Sequence, residues 1–115
     1  LESQVSPSDF DLELNELFDR SVHRLQATEV FDAKAFSDLL AYIRQKASGI
    51  ANEHVASKQV LACLIKARDA IQRSAPRIPE AKASLKMADN FELLLSQIAL
   101  GIDPATRQSG VPVIV

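Results

Sequence analysis

Apolar residues recur at helical spacing in four stretches that run almost end to end along the chain. In the first, Phe10, Leu14, Leu17, Phe18, Ser21 and Leu25 fall within about 60° of one direction when each residue advances the helix by about 100°. Asp11, Glu16, Asp19 and His23 lie off that stripe. Ser6-Pro7 reads as an N-cap followed by proline in the first helical position, so the pattern predicts a helix from about Pro7 to Gln26. In the second stretch Asp32 is the N-cap, and Phe31 and Phe36 have the spacing of a hydrophobic staple. Phe36, Leu40, Ile43, Ala47 and Ile50 then repeat at intervals of four and three, a coiled-coil-like seam that Ser48-Gly49 interrupts.

The third helix is expected to start near Asn52 or Glu53 and to reach about Ser74, with Val60, Leu64, Ala67 and Ile71 facing inward. Pro76 and Pro79 break the pattern, and Pro79 suits the first turn of a fourth helix. That helix is predicted to run to about Leu100, with Ser84, Met87, Ala88, Phe91, Leu94, Leu95 and Ile98 inward. Gly101 is suited to the left-handed position that closes it, and Pro104 prevents continuation. Short connections make sequential helices antiparallel neighbours. The expectation is an all-α, antiparallel up-and-down four-helix bundle with an extended C-terminal tail. It forms a single domain over residues 1–115, with a frayed N-terminus at 1–6 and the tail at 102–115. Within the tail, Val111-Pro112-Val113-Ile114-Val115 is apolar and β-branched, and extended backbone is its natural local state.

The helices carry more apolar residues than one inward stripe each requires. Leu12, Tyr42, Leu85, Leu93 and Leu100 lie about 120° to 180° from the stripe of their own helix, and Ile65 lies at the margin. A lone exposed leucine is ordinary, but three on one helix of this length call for an explanation. Either the fourth helix is central, covered on two sides by its neighbours and by the tail, or a partner hides the surplus. The second reading makes Leu85, Leu93 and Leu100, with Val111, Val113 and Ile114 of the tail, the contact residues, most simply of a homodimer.

Composition fits this picture. Apolar residues make up 47% of the chain and charged residues 24%, the balance of a folded domain and not of a disordered one. No run approaches the roughly 18 apolar residues of a membrane span, and no signal peptide is visible, so the expected location is cytoplasmic and no membrane partner is expected. The net charge of −2 conceals a division: residues 1–32 sum to −6, because eight acids face Arg20 and Arg24, and the remainder sums to +4. Between Arg44 and Lys86 nine basic residues face three acids. Such a stretch can contact phosphates, but aromatic residues do not interleave it, so nucleic-acid binding is not expected.

No constellation of reactive residues emerges. Cys63 sits in the apolar run Val60–Ile65 and reads as a small buried hydrophobe; a single thiol cannot form an internal disulfide. His23 and His54 have no cysteine or acid at zinc-ligand spacing. His54 extends the spacing series of the second helix, but Val55-Ala56-Ser57-Lys58 follows it in place of the short Lys-Gly motif of histidine phosphotransfer domains. Glu13 and Glu16 are three apart, yet the Glu-x-x-His motif that completes a di-iron bundle is absent. Neither a Gly-x-Ser-x-Gly elbow nor a glycine-rich phosphate loop occurs. No catalytic, metal or cofactor-binding residue is therefore expected, and the chain is not expected to be an enzyme. Arg68 falls inside the third apolar stripe. Either its stem crosses the core and its guanidinium reaches the edge, or it pairs with Asp11, Glu16 or Asp38, an arrangement that would give specificity to an interface. The expected function is that of a small interaction or structural protein that associates with itself. The alternative is a regulatory module that offers a hydrophobic groove to a foreign helix or peptide.

Overall fold

The first helix starts at Leu12, not near Pro7, because Asp11 takes the N-cap position. Its backbone is extended (φ −105°, ψ 110°) and its carboxylate accepts the Leu14 amide at 3.1 Å. The computed structural model describes residues 10–49 and 56–104. All regular structure among them is helical: α1 (Leu12–Phe18), a π-helical turn (Asp19–His23), α2 (Arg24–Thr28), α3 (Ala33–Gly49), α4 (Lys58–Ser74), α5 (Pro79–Lys82) and α6 (Leu85–Leu100). Ser6, Pro7, Ile50, Asn52, Glu53, His54, Val111, Val113 and Ile114 lie outside the described residues.

α1, the π turn and α2 follow one another without a break, from residue 12 to residue 28. The π turn accommodates an extra residue and rotates the register. Leu14 and Leu17 are buried before it, Ser21 and Val22 both within it, and Leu25 after it. A strictly α-helical wheel misses Val22 for this reason. The buried Ser21 hydroxyl is satisfied by the Leu17 carbonyl at 2.7 Å. Phe10, assigned to the inward stripe from its spacing, precedes the helix and is 61% exposed. Glu29 ends the rod in the left-handed region (φ 61°), its amide donating to the Leu25 carbonyl at 2.8 Å.

α3 begins as its sequence implies. Asp32 accepts the Ala35 amide at 3.1 Å, and Phe31 stacks on Phe36 with ring centroids 4.8 Å apart. Phe36 then meets Phe91 of α6 edge-on at 6.5 Å, joining the two helices through their largest buried side chains. α4 begins later than the apolar spacing suggests. Ser57 is extended and caps it, accepting the Gln59 and Val60 amides at 3.1 and 3.4 Å. The last expected helix is divided. Pro79 opens the short α5, Ser84 leaves helical backbone (φ −107°, ψ 17°), and α6 starts at Leu85. Ser84 takes the N-cap position through its backbone, its side chain making no capping hydrogen bond.

α6 closes as a Schellman motif. Gly101 is left-handed (φ 73°), its amide reaches the Ile98 carbonyl at 3.2 Å, and the Ile102 amide reaches the Gln97 carbonyl at 2.8 Å. α6 lays Ala88, Phe91 and Leu94 into the core and packs most extensively on α4, whose Val60, Leu64, Ala67 and Ile71 are buried. α3 touches both the first rod and α6. No described helix is long and apolar enough to cross a membrane.

Candidate functional site

The core is complete without the leucines of the outer α6 face. Leu85, Leu93 and Leu100 are 40%, 52% and 73% exposed, whereas Ala88, Phe91 and Leu94 of the same helix are buried. Taken at about 100° per residue, Leu85, Asp89, Leu93, Ser96 and Leu100 fall within about 40° of one direction. All five are exposed, and exposed Lys86 and Glu92 flank them, so the solvent side of α6 sets three leucines among three charged residues. Val111, Val113 and Ile114, expected to share this contact, lie outside the described residues.

Arg68 does not reach Asp11, Glu16 or Asp38. Its guanidinium pairs with the adjacent Asp69, Nε and Nη2 lying 3.2 and 3.1 Å from Oδ1, and its side chain retains 25% exposure. A neighbour in sequence satisfies the charge at the edge of α4, so no long-range ion pair forms.

Two features escape the sequence pattern. The first is a polar clasp built on Asp11, a residue that the helical wheel assigns to the solvated face. Asp11 Oδ2 accepts the Tyr42 hydroxyl at 2.7 Å and lies 3.0 Å from Lys46 Nζ, both on α3. Its backbone is held as well: the Asp11 amide donates to Gln59 Oε1 at 2.7 Å, and Gln59 Nε2 donates to the Asp11 carbonyl at 2.8 Å. One residue thus joins the start of α1 to α3 and α4. The side chains of Asp11 and Lys46 are only 10% and 16% exposed. Burial by itself would raise the Asp11 carboxyl. Hydrogen bonds from Tyr42, the Leu14 amide and Lys46, together with the Lys46 charge, outweigh it and hold the group below its ordinary value. Burial pushes the Tyr42 phenol well above its usual range, and the Asp11 carboxylate adds to the effect. The half-buried position of Tyr42 therefore follows from a contact within the chain. Its hydroxyl, which needs a partner when buried, is the signal that points to such a carboxylate.

The second feature is an open groove of about 570 Å³ between the π turn and α4, with Phe18, Ile65 and Ala70 as apolar lining and His23, Lys66 and Arg73 at polar positions. A smaller depression of about 400 Å³ lies beside the clasp, bordered by Phe10 and Leu12. Cys63 is buried, and burial pushes its thiol up to about 11, which removes the thiolate needed for nucleophilic attack near neutral pH. Among the described residues no three His, Cys, Asp or Glu side chains gather as a metal site. Comparison of the chain with protein-family models, with curated proteins and with solved structures gives no match.

Proposed function

We propose that this protein is a non-catalytic interaction module that associates with itself through the outer face of α6. The observation that carries the reading is the exposure of Leu85, Leu93 and Leu100 on a helix whose opposite face already fills the core. The same proposal takes the residue 12–28 rod, α3, α4 and α6 as the four members of an antiparallel up-and-down bundle, and places the protein in the cytoplasm.

The burial available to the three leucines is comparable with the cost of association. The exposed fractions of the three leucines amount to about 1.6 whole side chains per copy. At about 1.5–3 kcal/mol for each buried leucine, two copies gain roughly 5–10 kcal/mol. Association costs about 4–15 kcal/mol in lost freedom, so the leucines offset much of it and the surrounding contacts decide the affinity. Sedimentation of the full chain is expected to show a dimer forming in the micromolar range. Leu93→Asp is expected to leave a folded monomer. Leu12→Asp, which alters a leucine 77% exposed on another helix, is expected to leave the dimer intact. A wild-type chain that stays monomeric at about 100 μM, a dissociation constant worth roughly −5.5 kcal/mol, defeats the proposal.

A further inference from the structure

The rod of residues 12–28 and α4 lie side by side and run in the same direction. A tie at each end fixes this. Asp11 meets Gln59 at one end and Glu29 meets Arg77 at the other, and both pairs are 48 residues apart in sequence. The open groove of about 570 Å³ lies between the two ties. Its lining includes buried Ala70, half-buried Phe18 and, 39% exposed, Ile65. His23, Lys66, Asp69 and Arg73 are the titratable or charged side chains that line it. Two of them are already engaged: Asp69 by Arg68 at 3.1 Å, and His23 by Asp19 at 3.4 Å. Lys66 and Arg73 are exposed, and among the described residues neither side chain has a carboxylate partner. The groove therefore combines apolar surface with two cations that nothing in the described chain neutralises.

We infer that this groove receives an acidic amphipathic helix of another protein, its apolar stripe against Phe18, Ile65 and Ala70 and its carboxylates on Lys66 and Arg73. The surface is separate from the outer face of α6, and the inference does not depend on self-association. Spacing and charge carry it together. Lys66 and Arg73 are seven residues apart on α4, so they share a side of the helix and stand about 10.5 Å apart along its axis. Two acids seven apart on a docking helix have the same rise, and the residues three and four beyond the first acid lie on the same side between them. One face then presents acid, apolar pair and acid, which complements the two cations and the apolar lining at once. Ile65, exposed although apolar, is covered by this arrangement. The groove favours such a helix over two other anionic classes. A nucleic acid would lay a continuous line of phosphates past the Asp69 carboxylate as well as the cations. A small amphiphile binds where most of its surface is enclosed, and this groove is open to solvent.

Titration of the full chain with a synthetic peptide, followed by amide chemical shifts, tests the inference. The probe is about 16 residues long, enough for an isolated helix to form in part. Two adjacent leucines stand between two glutamates seven apart, and alanine and glutamine fill the other positions. It is expected to move resonances of the π turn and of α4 around Lys66 and Arg73, with a dissociation constant below about 1 mM. Lys66→Glu and Arg73→Glu, both at exposed positions, are each expected to weaken binding roughly threefold without unfolding the chain. The same peptide with lysines for glutamates is expected not to bind. Leu93→Asp is expected to bind the acidic peptide as the wild type does, so this result and the fate of α6 self-association are read separately. No shift at about 1 mM peptide overturns the inference, as do shifts confined to the outer face of α6. Equal binding of the lysine peptide, or binding untouched by both charge reversals, overturns the acidic partner. Groove resonances that move on dilution without peptide assign the groove to a second copy and overturn a foreign one. Decanoate or a single-stranded oligonucleotide that moves the same resonances at lower concentration than the peptide overturns the helix as the occupant.

Discussion

Replacing Asp11 with alanine removes three distinct interactions at once, and each can be assigned a size. The carboxylate caps α1 by accepting the Leu14 amide, a contribution of about 1 kcal/mol. It accepts the Tyr42 hydroxyl at 2.7 Å, worth roughly another 1 kcal/mol, and more if the phenol is left without a partner. It also faces Lys46 at 3.0 Å, with both side chains largely shielded. Removing one member of a fully buried pair costs about 3–5 kcal/mol. Lys46 is not fully buried and its ammonium can swing to water, so about 1 kcal/mol is the appropriate share. Asp11→Ala is therefore expected to lower unfolding stability by roughly 3 kcal/mol, which for a domain of this size lowers Tm by about 10 °C or more. Asp11→Asn keeps one oxygen for the cap but sets an amide NH2 where Oδ2 accepts the Tyr42 hydroxyl and faces Lys46, so its cost is expected to be about two-thirds as large. Urea unfolding followed by circular dichroism measures both. A double-mutant cycle with Tyr42→Phe isolates the phenol–carboxylate bond, with an expected coupling near 1 kcal/mol. A loss below about 1 kcal/mol for Asp11→Ala refutes the clasp as a stabilising element.

Further outcomes follow from the same interactions. Asp11 is held below its ordinary value, so its contribution is fully present above the unfolded value of about 4 and is lost as pH falls through the lower folded value; Asp11→Asn should flatten that part of an acid-unfolding curve. Tyr42 and Cys63 are both raised. Their contributions are present below their unfolded values and are lost as pH rises toward the folded ones, so stability measured by urea midpoint should decline above about pH 9. Cys63 should react with a thiol reagent at pH 8 only as fast as the protein opens, and addition of urea should accelerate the reaction by orders of magnitude. Phe36→Ala, which removes the ring joining Phe31 and Phe91, is expected to cost about 3–5 kcal/mol in chemical denaturation. Gly101→Ala forces a β-carbon into left-handed backbone and is expected to cost about 1 kcal/mol in the same assay.

The sequence is most legible where a local rule and the tertiary packing agree. The Phe31–Phe36 staple, the Asp32 cap, the stripe of α4 and the left-handed Gly101 are each set within a few residues, and the fold keeps all of them. Legibility ends where the deciding interaction lies far along the chain. The wheel places Asp11 on a solvated face because it counts from Pro7; the contacts that fix Asp11 as a cap come from Tyr42, Lys46 and Gln59, between 31 and 48 residues away for the two hydrogen-bonded partners. The π turn is hidden for a related reason. Its extra residue is tolerated because Ser21 and Val22 can both be buried, which depends on the helices they face. This distinction bears on the outer face of α6. Tyr42, a surplus apolar residue by the same angular criterion, is accounted for once a distant carboxylate is in view. Leu85, Leu93 and Leu100 are not: α4 and α3 pack on the opposite side, and the described residues leave all three open to solvent. The angular criterion detects residues whose burial is not explained by their own helix, and among the described residues the fold gives Tyr42 a partner and leaves the three leucines exposed.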